Sequence, residues 1–201
     1  MLLSHASNIG KLTDGAFVAI TAICAALFLL VNLSMLYFVV KYRRSRHPQS
    51  ADIEGSVLLE LAWTVIPAAI VVFMFYLGLK GYTIRKDVPG DALAVNVHGR
   101  MWSWTFQYAN GKESNKLAVP LNRAVKFNLT SGDVIHSFSI PAFRIKGDLV
   151  PGRQNTLWAV PLEKGSFDVF CTEYCGTGHS IMLTKAAVMD EKDFQEWYEA
   201  R

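Results

Sequence analysis

Residues 122–143 read NRAVKFNLTSGDVIHSFSIPAF, and this stretch decides the fold of the larger part of the chain. Val125, Phe127 and Leu129 alternate with Lys126, Asn128 and Thr130, the period-2 pattern of a strand with one buried face. Ser131, Gly132 and Asp133 are a turn signal, and Val134 to Ile140 predicts a second short strand. NTLWAV (155–160), SFDVF (166–170) and IMLTKAAVM (181–189) are three further β-rich runs, and Trp102, Trp104, Phe106 and Tyr108 also alternate. Short strands broken by frequent turns predict a β-sandwich or barrel. DEKDFQEWYEA at 190–200 predicts a closing helix with Asp190 as its N-cap.

Upstream the chain changes character. Hydrophobic residues make up 51% of the 201, and the excess lies in two segments. Ala16 to Val40 holds 25 residues without a charge, more than the roughly 20 that a helix needs to cross the hydrocarbon core. Val57 to Leu79 is a second span, interrupted only by Glu60 and Pro67. A signal peptide has a shorter apolar run and a small-residue cleavage site, so the first segment reads as a span. KYRRSR at 41–46 puts four basic residues between the spans, and the positive-inside bias assigns that loop to the cytoplasm. The expected organisation is an extracytoplasmic segment 1–14, a two-helix transmembrane hairpin 15–80 with its basic cytoplasmic loop 41–56, and an extracytoplasmic β domain 81–201. From Lys80 onward there are 15 Lys+Arg against 13 Asp+Glu, too even a balance for a nucleic-acid partner.

The chemistry concentrates in CTEYCGTGHSIM, residues 171–182. Cys171, Cys175, His179 and Met182 follow one another at intervals of four, four and three, and a loop between strands can bring them to one point. His136, in an apolar strand directly after a turn, is the best further donor. A disulfide between the cysteines leaves the other donors unexplained. Structural zinc takes two cysteines and two histidines but leaves Met182 idle. A mononuclear blue-copper site needs one cysteine, not two. A copper pair bridged by both thiolates, with one histidine on each ion, uses every donor, and soft sulfur ligands favour copper.

C-x-E-x-C-x-x-x-H-x-x-M, preceded by DVIHSF, closely resembles the CuA motif of cytochrome c oxidase subunit II. GRMWSWTFQY (99–108), the loop KGDLVPGR (146–153) that faces subunit I in the family, and ELAWTVIP (60–67) resemble further segments of it, so the likeness covers roughly residues 15 to 189. The resemblance implies a helical membrane hairpin followed by a cupredoxin-like Greek-key sandwich. It implies Cys171 and Cys175 as bridging thiolates, His136 and His179 as imidazole ligands, and Met182 and the backbone carbonyl of Glu173 as weak ligands of a dinuclear CuA centre. The Glu173 carboxylate resembles the family's glutamate for Mg or Mn at the interface with subunit I. Trp102 resembles the tryptophan that receives the electron.

Glu60 resembles the glutamate at the mouth of a proton channel in subunit I. An ionisable group in a span is by default a functional hypothesis, although near the cytoplasmic end it can also snorkel. The implied function is relay of single electrons from cytochrome c or another one-electron donor to haem-bearing subunit I, where dioxygen is reduced to water with coupled proton pumping. Subunit III and membrane lipid are further implied partners, and a bacterial plasma membrane, crossed twice with both termini outside, is the implied location. A CuA-containing nitric oxide reductase subunit and a free-standing membrane-anchored copper electron carrier are the alternatives. His5, His47, His98 and Cys24 are assigned no role.

Overall fold

The computed structural model describes residues 6–50 and 52–200; His5, the rest of residues 1–5, Ala51 and Arg201 lie outside them. Two helices open the chain, α1 over Asn8–Lys41 and α2 over Val57–Lys86. At 1.5 Å per residue the 34 residues of α1 run about 51 Å, well beyond a hydrocarbon core of about 30 Å. Both helices therefore overrun the predicted spans. The outer ends, up to Asp14 and from Gly81, form one compact unit with the rest of the chain, and Gly15–Lys80 forms the other.

Within the hairpin unit the apolar side chains point outward, from Phe17 through Trp63 to Tyr76, as a lipid-facing surface requires. Pro67 is accommodated inside α2. Ser56 precedes that helix, and its hydroxyl accepts the Leu59 amide at 3.4 Å.

The second unit is a sandwich of ten strands: β1 Leu93–Arg100, β2 Ser103–Tyr108, β3 Glu113–Ser114, β4 Leu117–Pro120, β5 Val125–Ser131, β6 His136–Ile140, β7 Ile145–Leu149, β8 Asn155–Ala159, β9 Gly165–Cys171 and β10 Leu183–Met189. One sheet runs β3-β2-β1-β5-β8 and the other β4-β10-β9-β6-β7. β1 pairs with β5 in parallel and β10 with β4 in parallel; the remaining ladders are antiparallel. The alternation at 125–129 buries Val125, Phe127 and Leu129 between the sheets. Phe138 meets them from the facing sheet, its ring 5.4 Å from Phe127, 5.7 Å from Trp104 and 6.2 Å from Phe106. All five residues of β6 are buried, His136 at its start among them.

Several boundaries differ from the sequence reading, each for a local reason. β6 begins at His136 rather than Val134, because the Asp133 carboxylate takes the Val134 amide and holds it in the turn. Trp102 is not part of the Trp104, Phe106, Tyr108 alternation; it lies in the turn before β2, leaving the other three as the buried positions. The first half of KGDLVPGR is not loop but part of edge strand β7, where Gly147 pairs with Phe138. Met182 closes a short 3₁₀ turn, His179–Ile181, so β10 starts at Leu183, two residues after the start of the run 181–189. α3, Glu191–Glu199, has Asp190 at its N-cap position, but the Asp190 side chain turns to Lys164 and makes no cap bond.

The segment before α1 joins this sandwich. Ser7 caps α1 by accepting the Gly10 amide at 2.9 Å and donates its hydroxyl proton to the Phe143 carbonyl at 2.8 Å. Asn8 exchanges two hydrogen bonds with Val160, and the buried Asp14 accepts from Arg144 at 2.8 Å. At the end of α2 the Trp158 indole donates to the carbonyls of Ile84 and Arg85, two of the acceptors that a helix C-terminus leaves open.

Candidate metal centre

Two adjacent strands and one loop build the site. The ladder between β6 and β9 sets Phe138 opposite Cys171, which brings His136 alongside the start of the loop 171–182. The loop returns on itself because the Cys171 amide donates to the Met182 carbonyl at 3.2 Å, and the Trp104 indole donates to the same carbonyl at 3.3 Å. Gly176 takes φ +114°, a conformation that side-chain-bearing residues rarely adopt, and makes the tight bend between Cys175 and His179.

Six donor atoms converge there. Cys171 Sγ lies 3.7 Å from Cys175 Sγ, 3.9 Å from His136 Nδ1 and 3.2 Å from the Glu173 carbonyl. Cys175 Sγ lies 3.6 Å from His179 Nδ1 and 3.9 Å from Met182 Sδ. His136, Cys171, Cys175 and Met182 are buried, and the ligand atoms of the first three lie within 4.8 Å of one another. The cysteines are free thiols, and 3.7 Å is far beyond the S–S bond of about 2.05 Å. Metal–thiolate bonds of about 2.3 Å reach both sulfurs from either side of the line between them. The donor set, two thiols, a thioether and two imidazole nitrogens, therefore fits a soft metal. Burial, then the hydrogen bond to Cys171, pushes the Cys175 thiol up to about 11, so metal binding must displace its proton.

Around the donors the other site candidates separate. The Trp102 ring is partly exposed and lies on Gly176 and Gly178; a Cβ on Gly178 would sit 2.3 Å from the indole. Its Nε1 donates to the Cys175 carbonyl at 3.1 Å. The Glu173 side chain is exposed, while its carbonyl faces Cys171. Glu60 lies in the first turn of α2, in the other unit.

Sequence reasoning missed Asp133. Burial alone would raise its carboxyl, but the Met101 amide, the His136 ring and the Val134 amide together hold it at about 2. The signal available was its place three residues before a histidine in SGDVIH.

A two-layer β-sandwich that presents a buried cluster of thiolate, thioether and imidazole donors, on a chain with two membrane-length helices, defines a membrane-anchored cupredoxin-like metal protein. Residues 111–188 match the periplasmic domain of cytochrome c oxidase subunit II and residues 4–80 its transmembrane domain. Cytochrome c oxidase subunit 2 of Thermostichus vulcanus is 30% identical over 98% of this chain and 77% of its own length. Heme-copper oxidase subunit 2 of Aeropyrum pernix is 32% identical over 90% of this chain and 86% of its own. The crystal structure of the periplasmic domain of cytochrome oxidase subunit II of Bradyrhizobium japonicum superposes with a TM-score of 0.53 at 33% identity, over 56% of this chain and 95% of that one.

The chain belongs to the cytochrome c oxidase subunit II family. It is a membrane subunit of a haem–copper oxidoreductase with a periplasmic domain, and membership implies a copper centre.

Proposed function

We propose that this chain is the electron-accepting subunit of a cytochrome c oxidase, receiving single electrons from cytochrome c and delivering them to haem–copper subunit I. There dioxygen is reduced to water with coupled proton pumping. The observation that carries this reading is the pair of buried thiols 3.7 Å apart, with one histidine Nδ1 beside each. In the proposal Cys171 and Cys175 would hold a dinuclear CuA centre through their thiolates, His136 and His179 through their imidazoles, and Met182 and the Glu173 carbonyl would be its weak ligands. Bound there, a copper pair supplies one-electron chemistry with the charge shared over two ions.

The chain's own residues do the rest. The sandwich keeps water from His136 and the sulfurs, and the β6–β9 ladder holds His136 against Cys171. Trp102 offers a partly exposed ring that bonds to the Cys175 backbone, which suits it to meet the donor. Glu173 is exposed, and its carboxylate, a hard oxygen donor, is assigned to Mg or Mn at the interface with subunit I. Glu60 is assigned to the mouth of a proton channel in subunit I, and subunit III and lipid complete the surroundings. Residues 81–201 are assigned to the outer side of a bacterial plasma membrane, with both termini, and the loop 41–56 to the cytoplasm.

Paramagnetic resonance of the copper-loaded full chain tests the centre. Hyperfine structure from one electron over two copper nuclei is expected; a single-nucleus pattern refutes the assignment.

A further inference from the structure

Asp133 occupies the junction between two parts of the site that the ladders do not connect. Its Oδ1 accepts from His136 Nε2 at 2.8 Å and from the Val134 amide at 2.7 Å. Its Oδ2 accepts the amide of Met101, the residue before Trp102, at 2.7 Å. The His136 ring is fully buried, with Gly99 against it and the Trp104 ring tilted to it at a centroid distance of 6.3 Å. Asp133 is the one hydrogen-bond partner of its Nε2 among the described residues.

The chemistry of these contacts demands a carboxylate. Three N–H donors converge on the side chain, and only an ionised carboxyl offers acceptors alone. A proton held on Nε2 by Asp133 leaves the Nδ1 lone pair free on the side of Cys171 Sγ, 3.9 Å away. The other oxygen fixes the turn that carries Trp102. One group thus sets the tautomer of a ligand and the place of the indole.

We propose that Asp133 is a positioning residue for electron transfer, locking the His136 ring and the Trp102 turn to each other; the inference rests on the function proposed above. Asparagine in its place puts an NH₂ against one of the three donors and loses one arm of the lock. Alanine loses both.

The test uses the full chain and the assembled oxidase carrying Asp133→Asn or Asp133→Ala. Copper affinity is measured by competition with a chelator, the copper spectrum by paramagnetic resonance, and electron arrival from reduced cytochrome c at low and at high ionic strength. Removal of an outer partner of a ligating histidine typically lowers metal affinity by about 10- to 100-fold, and Asp133→Ala is expected to fall in that range with an altered spectrum. Asp133→Asn is expected to lie between it and the wild type. Both variants should slow electron arrival by the same factor at either ionic strength.

If the variants bind copper with wild-type affinity and spectrum, the inference is overturned. It is equally overturned if the slowing disappears at high salt, since Asp133 would then act only as a charge for docking. A wild-type chain without the two-copper spectrum overturns the proposed function and this inference together. A wild-type spectrum shared unchanged by both variants overturns this inference alone.

Discussion

The indole nitrogen of Trp102 donates to the backbone carbonyl of Cys175 at 3.1 Å, so a partly exposed aromatic group at the site is bonded directly to the peptide of a buried thiol. Gly178 makes the approach possible. A Cβ there would sit 2.3 Å from the ring, against an ordinary contact of about 3.5 Å, so Gly178→Ala must push the indole away by about 1 Å. Misplacement on that scale costs on the order of a hundredfold in rate. Gly178→Ala and Trp102→Ala are both expected to slow electron arrival from the donor while leaving copper content and its resonance spectrum unchanged. Stopped-flow mixing with reduced cytochrome c checks this, and a wild-type rate in either variant removes Trp102 from the path.

The surface around Trp102 has little charge to steer a partner. Met101, Trp102, Val134 and Ile135 are exposed apolar side chains, and Asp133 is tied to His136 and two amides. Arg100, whose side chain lies over Gly132, is of opposite sign to Asp133. Turnover is therefore expected to change by no more than about twofold as ionic strength rises through the range over which the Debye length falls from about 30 to 8 Å. A steep fall in turnover over that range shows that charges elsewhere on the domain govern docking.

Tyr108 predicts alkaline weakening of the sandwich. Its hydroxyl donates to the Ala118 carbonyl at 2.8 Å and accepts the Ala118 amide at 2.9 Å. Burial raises the phenol above its ordinary value near 10, outweighing the opposing effect of the Ala118 backbone. A folded-state value raised above the unfolded one means stability fully present below about pH 10 and lost as pH climbs beyond it. The urea midpoint of the full chain is expected to drop above about pH 10. Tyr108→Phe should cost about 1–3 kcal/mol at neutral pH, because it strands two buried backbone groups, and should flatten the alkaline drop. An undiminished drop in the variant assigns it to another group.

Gly147 is where β7 meets the opposite sheet. A Cβ there would lie 2.8 Å from both Leu129 and Leu157, and Gly147→Ala is expected to destabilise by about 1–3 kcal/mol through overpacking. Gly90 has open space around it, and Gly90→Ala should stay within about 1 kcal/mol of wild type. Equal denaturation midpoints for the two variants contradict the packing account.

The residues that were legible in advance are those whose own pattern carries the information. Val125, Phe127 and Leu129 declare a buried face by alternation, the uncharged run 16–40 declares its solvent, and the donors of 171–182 declare metal by type and spacing. The rest depends on partners that sequence order does not reveal. Lys146, Gly147 and Asp148 stand in a stretch that resembles a loop, yet they form an edge strand because Gly147 alone lets β7 approach Leu129 and Leu157. Asp190 has the right identity and place for an N-cap, but Lys164, 26 residues earlier, takes its carboxylate. Asp133 reads as punctuation after β5 until His136 and Met101 are seen to converge on it.

The bonds from Ser7 to Phe143 and from Asn8 to Val160 close loops of 136 and 152 residues, most of the length of the chain. During synthesis the segment made first must wait for Phe143 and Val160 before these bonds can form. The sandwich is thus completed across nearly the whole of translation. A chain that ends between the second helix and β8 therefore lacks the Val160 partner that holds Asn8 at the start of α1.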